Sequence, residues 1–175
     1  VLEDEIKMLD EKREHESKLP GVRLSDKIHF VSDQDAACAD MDLIVLAVPS
    51  KFIRATARSM AEHIKADQLI VNVAKGIEEE TLMPMVDVIE DELAAYFGEE
   101  RRDAFRVAVL SGPSHAEEVG RALPTTVVCG SKRTGDAEYI QEIFMNDYFR
   151  VYTSCDVIGI ELGGSIKNVM ALAAG

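Results

Sequence analysis

Lysine and asparagine stand side by side in the stretch "GIELGGSIKNVMALAAG" that closes this 175-residue chain. On a helix, Lys167 shares a face with Gly163 and Gly164 one turn before it and with Ala171 and Ala174 after it, whereas Leu162, Ile166, Val169 and Leu172 are large. Tiny residues around one ammonium leave room for a neighbouring helix or for a ligand. Helix packing is the commoner use of such a face, but packing alone does not call for Lys167 and Asn168. Removing an ammonium from water is costly unless it is paired or neutralised, so this lysine is a candidate for a lowered pKa. A lysine tuned in that way takes a proton from an alcohol near neutral pH, and a second ammonium nearby pushes in the same direction.

Lys75 is the candidate for that second ammonium, and the elements around it say why. Short β-rich runs recur along the chain: "IHFVS" at 28–32, "LIVLAV" at 43–48, "LIVNVA" at 69–74, "RVAVLS" at 106–111, "TTVVC" at 125–129 and "FRVYTS" at 149–154. Several are apolar on both faces, which suits strands of a sheet covered by helices above and below and favours parallel pairing. Between them, Phe52 or Ile53, Ala57, Met60 and Ile64 follow helical spacing, as do Met85, Ile89 and Leu93. Alternation of strand and helix predicts βαβ units, an α/β fold. In such sheets ligands bind beyond the carboxyl ends of the strands. The residues there are Pro49-Ser50, Lys75-Gly76 and Gly112-Pro113-Ser114.

Each has an ordinary alternative. A strand-end lysine also serves simply to open a turn. Ser114 is expected to cap the helix begun by "SGPSHAEEV", where free amides and the hydroxyl could hold an anion or a carbonyl oxygen, yet a capping box with Glu117 explains it equally well. His115, beside that cap, is assigned no role.

Composition narrows the partners. Nineteen basic against 32 acidic residues give a formal charge of −13, which repels nucleic acid and anionic lipid surfaces, so a small-molecule ligand is expected instead. No apolar run approaches the ~20 residues that cross a bilayer. Cys38, Cys129 and Cys155 lie far apart with no histidine at metal spacing, so neither a disulfide framework nor a metal site is expected; they read as small buried hydrophobes in a reducing, cytoplasmic setting. The charged start, with Leu2, Ile6 and Leu9 at helical spacing and polar residues to Lys18, reads as a solvated helix broken by "LPG". A domain boundary is predicted at Cys155-Asp156, where strand signals end and a long helix begins.

The stretches "VNVAKGIEEETL", "VLSGPSHAEEVGRALPTTVV" and "FRVYTSCDVIGIELGGSIKNVMALAAG" resemble segments of the NAD(P)-dependent glycerol-3-phosphate dehydrogenases, the bacterial type especially. "REHESKLPGVRLSDKI" and "DLIVLAVPS" resemble the same family at the expected spacing, so the likeness covers nearly the whole chain. The resemblance implies an oxidoreductase that interconverts sn-glycerol 3-phosphate and dihydroxyacetone phosphate with NAD or NADP and supplies the phospholipid backbone. It implies Lys167 as general acid/base with Asn168 beside it at the substrate. Lys75 then faces both substrate and cofactor, Gly112 and Ser114 line the substrate site, and Ala116, with Pro49 and Ser50, belongs to the cofactor site.

Two departures shape the expectation. The family opens with a G-x-G-x-x-G turn that holds the pyrophosphate, and these 175 residues contain none. The family also continues into a helical domain with further substrate contacts. The expectation is therefore an internal fragment: residues 1–155 an incomplete Rossmann-like dinucleotide domain lacking its first βαβ piece, residues 156–175 the first helix of an all-helical substrate domain. Alone, this piece is expected to bind cofactor weakly and to turn over little. A homodimer is compatible with the resemblance. The competing readings are a two-domain dehydrogenase of 3-hydroxy acids or sugar nucleotides, and a non-catalytic remnant acting as an interaction module.

Overall fold

The computed structural model describes residues 3–175, with the side chains of Asn168 and Met170 outside the described set. Helix α1 (Glu3–Lys12) buries none of its residues. It stops six residues short of Lys18 because Arg13 turns left-handed (φ 52°) and its guanidinium reaches back to the Ile28 carbonyl (2.6 Å) and Asp10 (2.8 Å). The expected strand at 28–32 does not form: no described strand lies beside it to supply the hydrogen-bond ladder that extended backbone needs. Helix α2 (Gln34–Cys38), capped by the Asp33 carboxylate, leads into the sheet.

The sheet has five strands in the order β1-β2-β3-β4-β5: Leu43–Leu46, Leu69–Asn72, Arg106–Ser111, Thr125–Ser131 and Phe149–Ser154. Three of its four pairings are parallel, as βαβ units require, and β4 runs antiparallel to β3. That one antiparallel pairing has a reason of length. A parallel return needs a crossover as long as the strand, about 20 Å for six residues. The only helix between β3 and β4 is α5 (Ala116–Gly120), five residues or about 7.5 Å.

Alternation within the strands divides the core into two clusters. Ile70, Val107 and Val109 face helices α3 (Ile53–Met60) and α4 (Met85–Phe97), while Leu69, Val71, Ala108 and Leu110 face α6 (Thr134–Phe144). Ile53, Ala57 and Met60 are buried as the helical spacing predicts, as are Met85, Ile89 and Leu93; Phe52 is half exposed. Arg54 of α3 ties this layer together, donating to both Glu78 oxygens and to Asp91 and Glu92, each at 2.7 Å. Helix α7 (Val157–Ala174) starts under the Asp156 carboxylate, which accepts the Gly159 N–H, and packs across β3 and β4. Cys38 and Cys129 are buried as expected; Cys155 is exposed, because it sits in the turn between β5 and α7 rather than on an inward-facing strand position.

Candidate functional site

The carboxyl ends of β1, β2 and β3 are adjacent, and the residues that leave them meet. Lys75 is half-buried; its ammonium donates to the Gly112 carbonyl at 2.9 Å and lies 3.5 Å from the Ser114 hydroxyl. Both oxygens are neutral. Burial first, and the charge of Lys167 second, push the Lys75 pKa below that of an ordinary lysine. Lys167, for which desolvation was expected, is exposed in this structure. Asn168 falls on α7, but its side chain lies outside the described residues.

The loop carrying Lys75 is braced by a residue that the sequence reading passed over. Asn72, fully buried at the end of β2, donates to the Ala74 carbonyl (2.9 Å) and accepts the Ala74 N–H (3.1 Å). Its signal was available: one amide inside the otherwise apolar "LIVNVA". On the other side, Gly76 (φ 151°) lets the loop press on Ser50, where a Cβ would come within 2.7 Å of the Ser50 side chain. Ser50 is therefore held beside the Lys75 loop, with Pro49, exposed, just before it.

Two hollows flank the turn after β3. One of about 550 Å³ is lined by Lys75, Ser114, Ala116 and the apolar side chains of Val73, Leu110 and Phe149 among others. The other, about 260 Å³, is lined by Ser111, Gly112, Pro113, Gly163, Gly164 and Lys167. The two amines therefore border neighbouring hollows that share the 111–114 turn, close enough for one charge to lower the pKa of the other. Close approach is permitted by Gly164, where a Cβ would stand 2.5 Å from Ser111 Oγ and 3.7 Å from Lys75 Cγ.

Ser114 does not cap α5. His115 occupies the cap position but its ring bonds the Glu117 carboxylate (2.6 Å) instead of capping a backbone N–H, and Glu117, drawn below the usual carboxylate range by its own backbone amide and by His115, takes the helix start for itself. That leaves the Ser114 hydroxyl turned to Lys75, not to the helix. A further group the sequence reading missed is Glu161, 5% exposed on α7, which accepts the Val86 N–H at 3.0 Å.

The arrangement pairs a partly desolvated ammonium with neutral hydroxyl and carbonyl groups at the ligand edge of a parallel sheet. The residues present fit one end of a dinucleotide: the apolar-walled hollow beside Lys75 and Ala116 suits a flat ring, and the Gly76–Ser50 contact brings together the loops that follow the carboxyl ends of β1 and β2. Among the described residues no helix is long and apolar enough to cross a membrane, and no three His, Cys, Asp or Glu side chains gather as a metal ion requires.

Comparison with known proteins agrees with this geometry. Residues 2–137 match the family described as NAD-dependent glycerol-3-phosphate dehydrogenase N-terminus. A glycerol-3-phosphate dehydrogenase [NAD(P)+] of Agathobacter rectalis is 56% identical over 175 residues, all of this chain and 49% of the relative; one from Fusobacterium nucleatum is 50% identical over 163 residues, 93% of this chain and 47% of the relative. The crystal structure of a glycerol-3-phosphate dehydrogenase from Coxiella burnetii superposes with a TM-score of 0.77 at 29% identity, covering 97% of this chain and 49% of that one. The chain thus spans about half the length of the curated relatives it matches. By the extent of the family match, residues 2–137 of 175, this chain belongs to the NAD-dependent glycerol-3-phosphate dehydrogenase family.

Proposed function

We propose that this chain is the cofactor-binding half of an oxidoreductase that interconverts sn-glycerol 3-phosphate and dihydroxyacetone phosphate, with residues 1–155 as the dinucleotide-binding domain and 156–175 as the start of a helical substrate domain. The single observation that carries the reading is the half-buried Lys75 ammonium held on the Gly112 carbonyl, with α7 seated against the same strand-end turn and its Lys167 lining the hollow beside it. When bound, NAD or NADP carries the hydride to or from C2. The chain's own groups do the rest. Lys167 moves the proton at the C2 oxygen, with Asn168 its neighbour at the substrate. Lys75, Gly112 and Ser114 hold the reacting end, while Pro49, Ser50 and Ala116 border the nicotinamide side.

Two positive side chains also explain how an anionic substrate enters a protein of charge −13: the local field at the site opposes the general one. The same overall charge speaks against nucleic acid as a partner. A cytoplasmic setting agrees with three cysteines that form no disulfide. The product supplies a three-carbon phosphate ester of the kind on which glycerophospholipids are built.

The test uses a protein of the relatives' full length carrying this segment, with oxidation of NADH and NADPH followed on addition of dihydroxyacetone phosphate. Lys167→Ala is expected to lower kcat by at least ~10²–10⁴, the usual contribution of a general acid/base. Undiminished turnover in Lys167→Ala, or preference for 3-hydroxy acids over glycerol 3-phosphate, overturns the reading.

A further inference from the structure

We propose that Glu161 is a positioning residue that pins α7 to the first turn of α4 and thereby holds Lys167 beside Lys75. The proposal rests on the functional reading for what Lys167 does, and on contacts within the fold for where it is held.

Helix α4 starts after Pro84 with no side-chain cap of its own. Its first turn instead receives a carboxylate oxygen from Glu161, 75 residues away in sequence, through the Val86 N–H at 3.0 Å. The second oxygen, Oε2, is buried with no partner. Stability alone does not favour that choice, since a buried carboxyl with one unsatisfied oxygen costs more than an apolar side chain of the same size. The charges around it add to the cost: Asp87 and Glu90 of α4 are both acidic, and Lys132, which approaches from the β4–α6 link, spends its ammonium on both oxygens of Glu90. What Glu161 does supply is a fixed point between two helices.

A second fixed point lies one turn further along α7. There Gly164 seats the helix on Ser111, so closely that a Cβ would not fit. Two attachments on one face set both the depth and the rotation of a helix. Lys167, six residues or about 9 Å along the axis from Glu161, is carried by that setting. Its charge reaches Lys75 because the helix is held there.

The test needs no catalysis and so separates this proposal from the functional one. In the 175-residue chain, NMR follows hydrogen exchange at the Val86 amide and the titration of the Lys75 side chain. Glu161→Ala is expected to speed Val86 exchange at least tenfold and to raise the Lys75 midpoint, because Lys167 is no longer held near it. Glu161→Gln keeps an acceptor for the Val86 N–H and is expected to restore both readings, which also controls for the lost charge. Should the alanine variant not fold, Glu161→Asp, one methylene too short to reach α4, takes its place. A folded Ala or Asp variant in which Lys75 titrates as in the wild type overturns the proposal, as does a Gln variant that behaves like Ala. Absence of dehydrogenase turnover in a protein of the relatives' length leaves it standing.

Discussion

Glu161 also makes a prediction about stability that can be worked from the structure. Burial is the largest influence on its carboxyl and, with Asp87 and Glu90, outweighs the Val86 and Met85 amides, raising its pKa from 4.5 to about 7. The folded chain therefore keeps a proton that the unfolded chain releases. Between pH 4.5 and 7 the unfolded state binds fewer protons than the native one, so stability contributed by this group is full below pH 4.5 and falls as pH rises through 7. A rise from 4.5 to about 7, at ~1.4 kcal/mol for each tenfold change in the proton equilibrium, corresponds to roughly 3 kcal/mol. Glu161→Gln retains the shape and the acceptor while removing the ionisation. Urea unfolding of both chains at pH 5, 6, 7 and 8 should show them similar at pH 5 and the Gln variant more stable by roughly 2–3 kcal/mol at pH 8. With a urea slope of ~2 kcal/mol/M that is a midpoint difference of about 1–1.5 M. A difference between the two chains that stays flat from pH 5 to 8 would falsify the claim that burial governs this carboxyl.

Other consequences follow from named contacts. Asn72→Ala removes both hydrogen bonds to the half-buried Ala74 backbone, for an expected loss of about 1–3 kcal/mol in the same assay; a loss under about 0.5 kcal/mol contradicts the bracing role. Gly164→Ala sets a Cβ against Ser111 Oγ, so the crowding should cost about 1–3 kcal/mol despite the better helix propensity of alanine. Adding Ser111→Gly should recover part of it, and strict additivity in that double-mutant cycle would show that the two residues do not press on each other. Arg54→Met strips Glu78 of the guanidinium that holds its pKa at about 2. The resulting destabilisation should be present above pH 4.5 and shrink as pH falls toward 2, because the wild-type advantage disappears once Glu78 is protonated; thermal unfolding midpoints at pH 7 and pH 3 compare the two.

Much of the fold was legible because its strands are buried on both faces and its helices on one. Five of the six β-rich runs form the sheet, and the 106–111 and 149–154 spans agree end to end. The side chains of "IHFVS" suit a strand, but side chains do not supply a ladder partner. The direction of β4 was equally beyond local pattern, since both faces of a strand look the same whichever way it runs; the shortness of α5 decided it. The neighbours of Ser114 in sequence point to a cap, but that place goes to His115 and Glu117, and Lys75, 39 residues earlier, stands next to Ser114 in space.

The chain's residue types settled by themselves which segments must be buried and which glycine and proline turns follow the strands, and they singled out Lys75, Gly112, Ser114 and Lys167 as candidates. Their order along the chain carries that information because burial and turn formation are decided within a few residues. Only the tertiary structure decided which amine is desolvated, that Asn72 braces its loop, and that Glu161 reaches the start of α4. Solvent exclusion and charge–charge coupling depend on groups far apart in sequence and adjacent in space, so no window of neighbouring residues contains them.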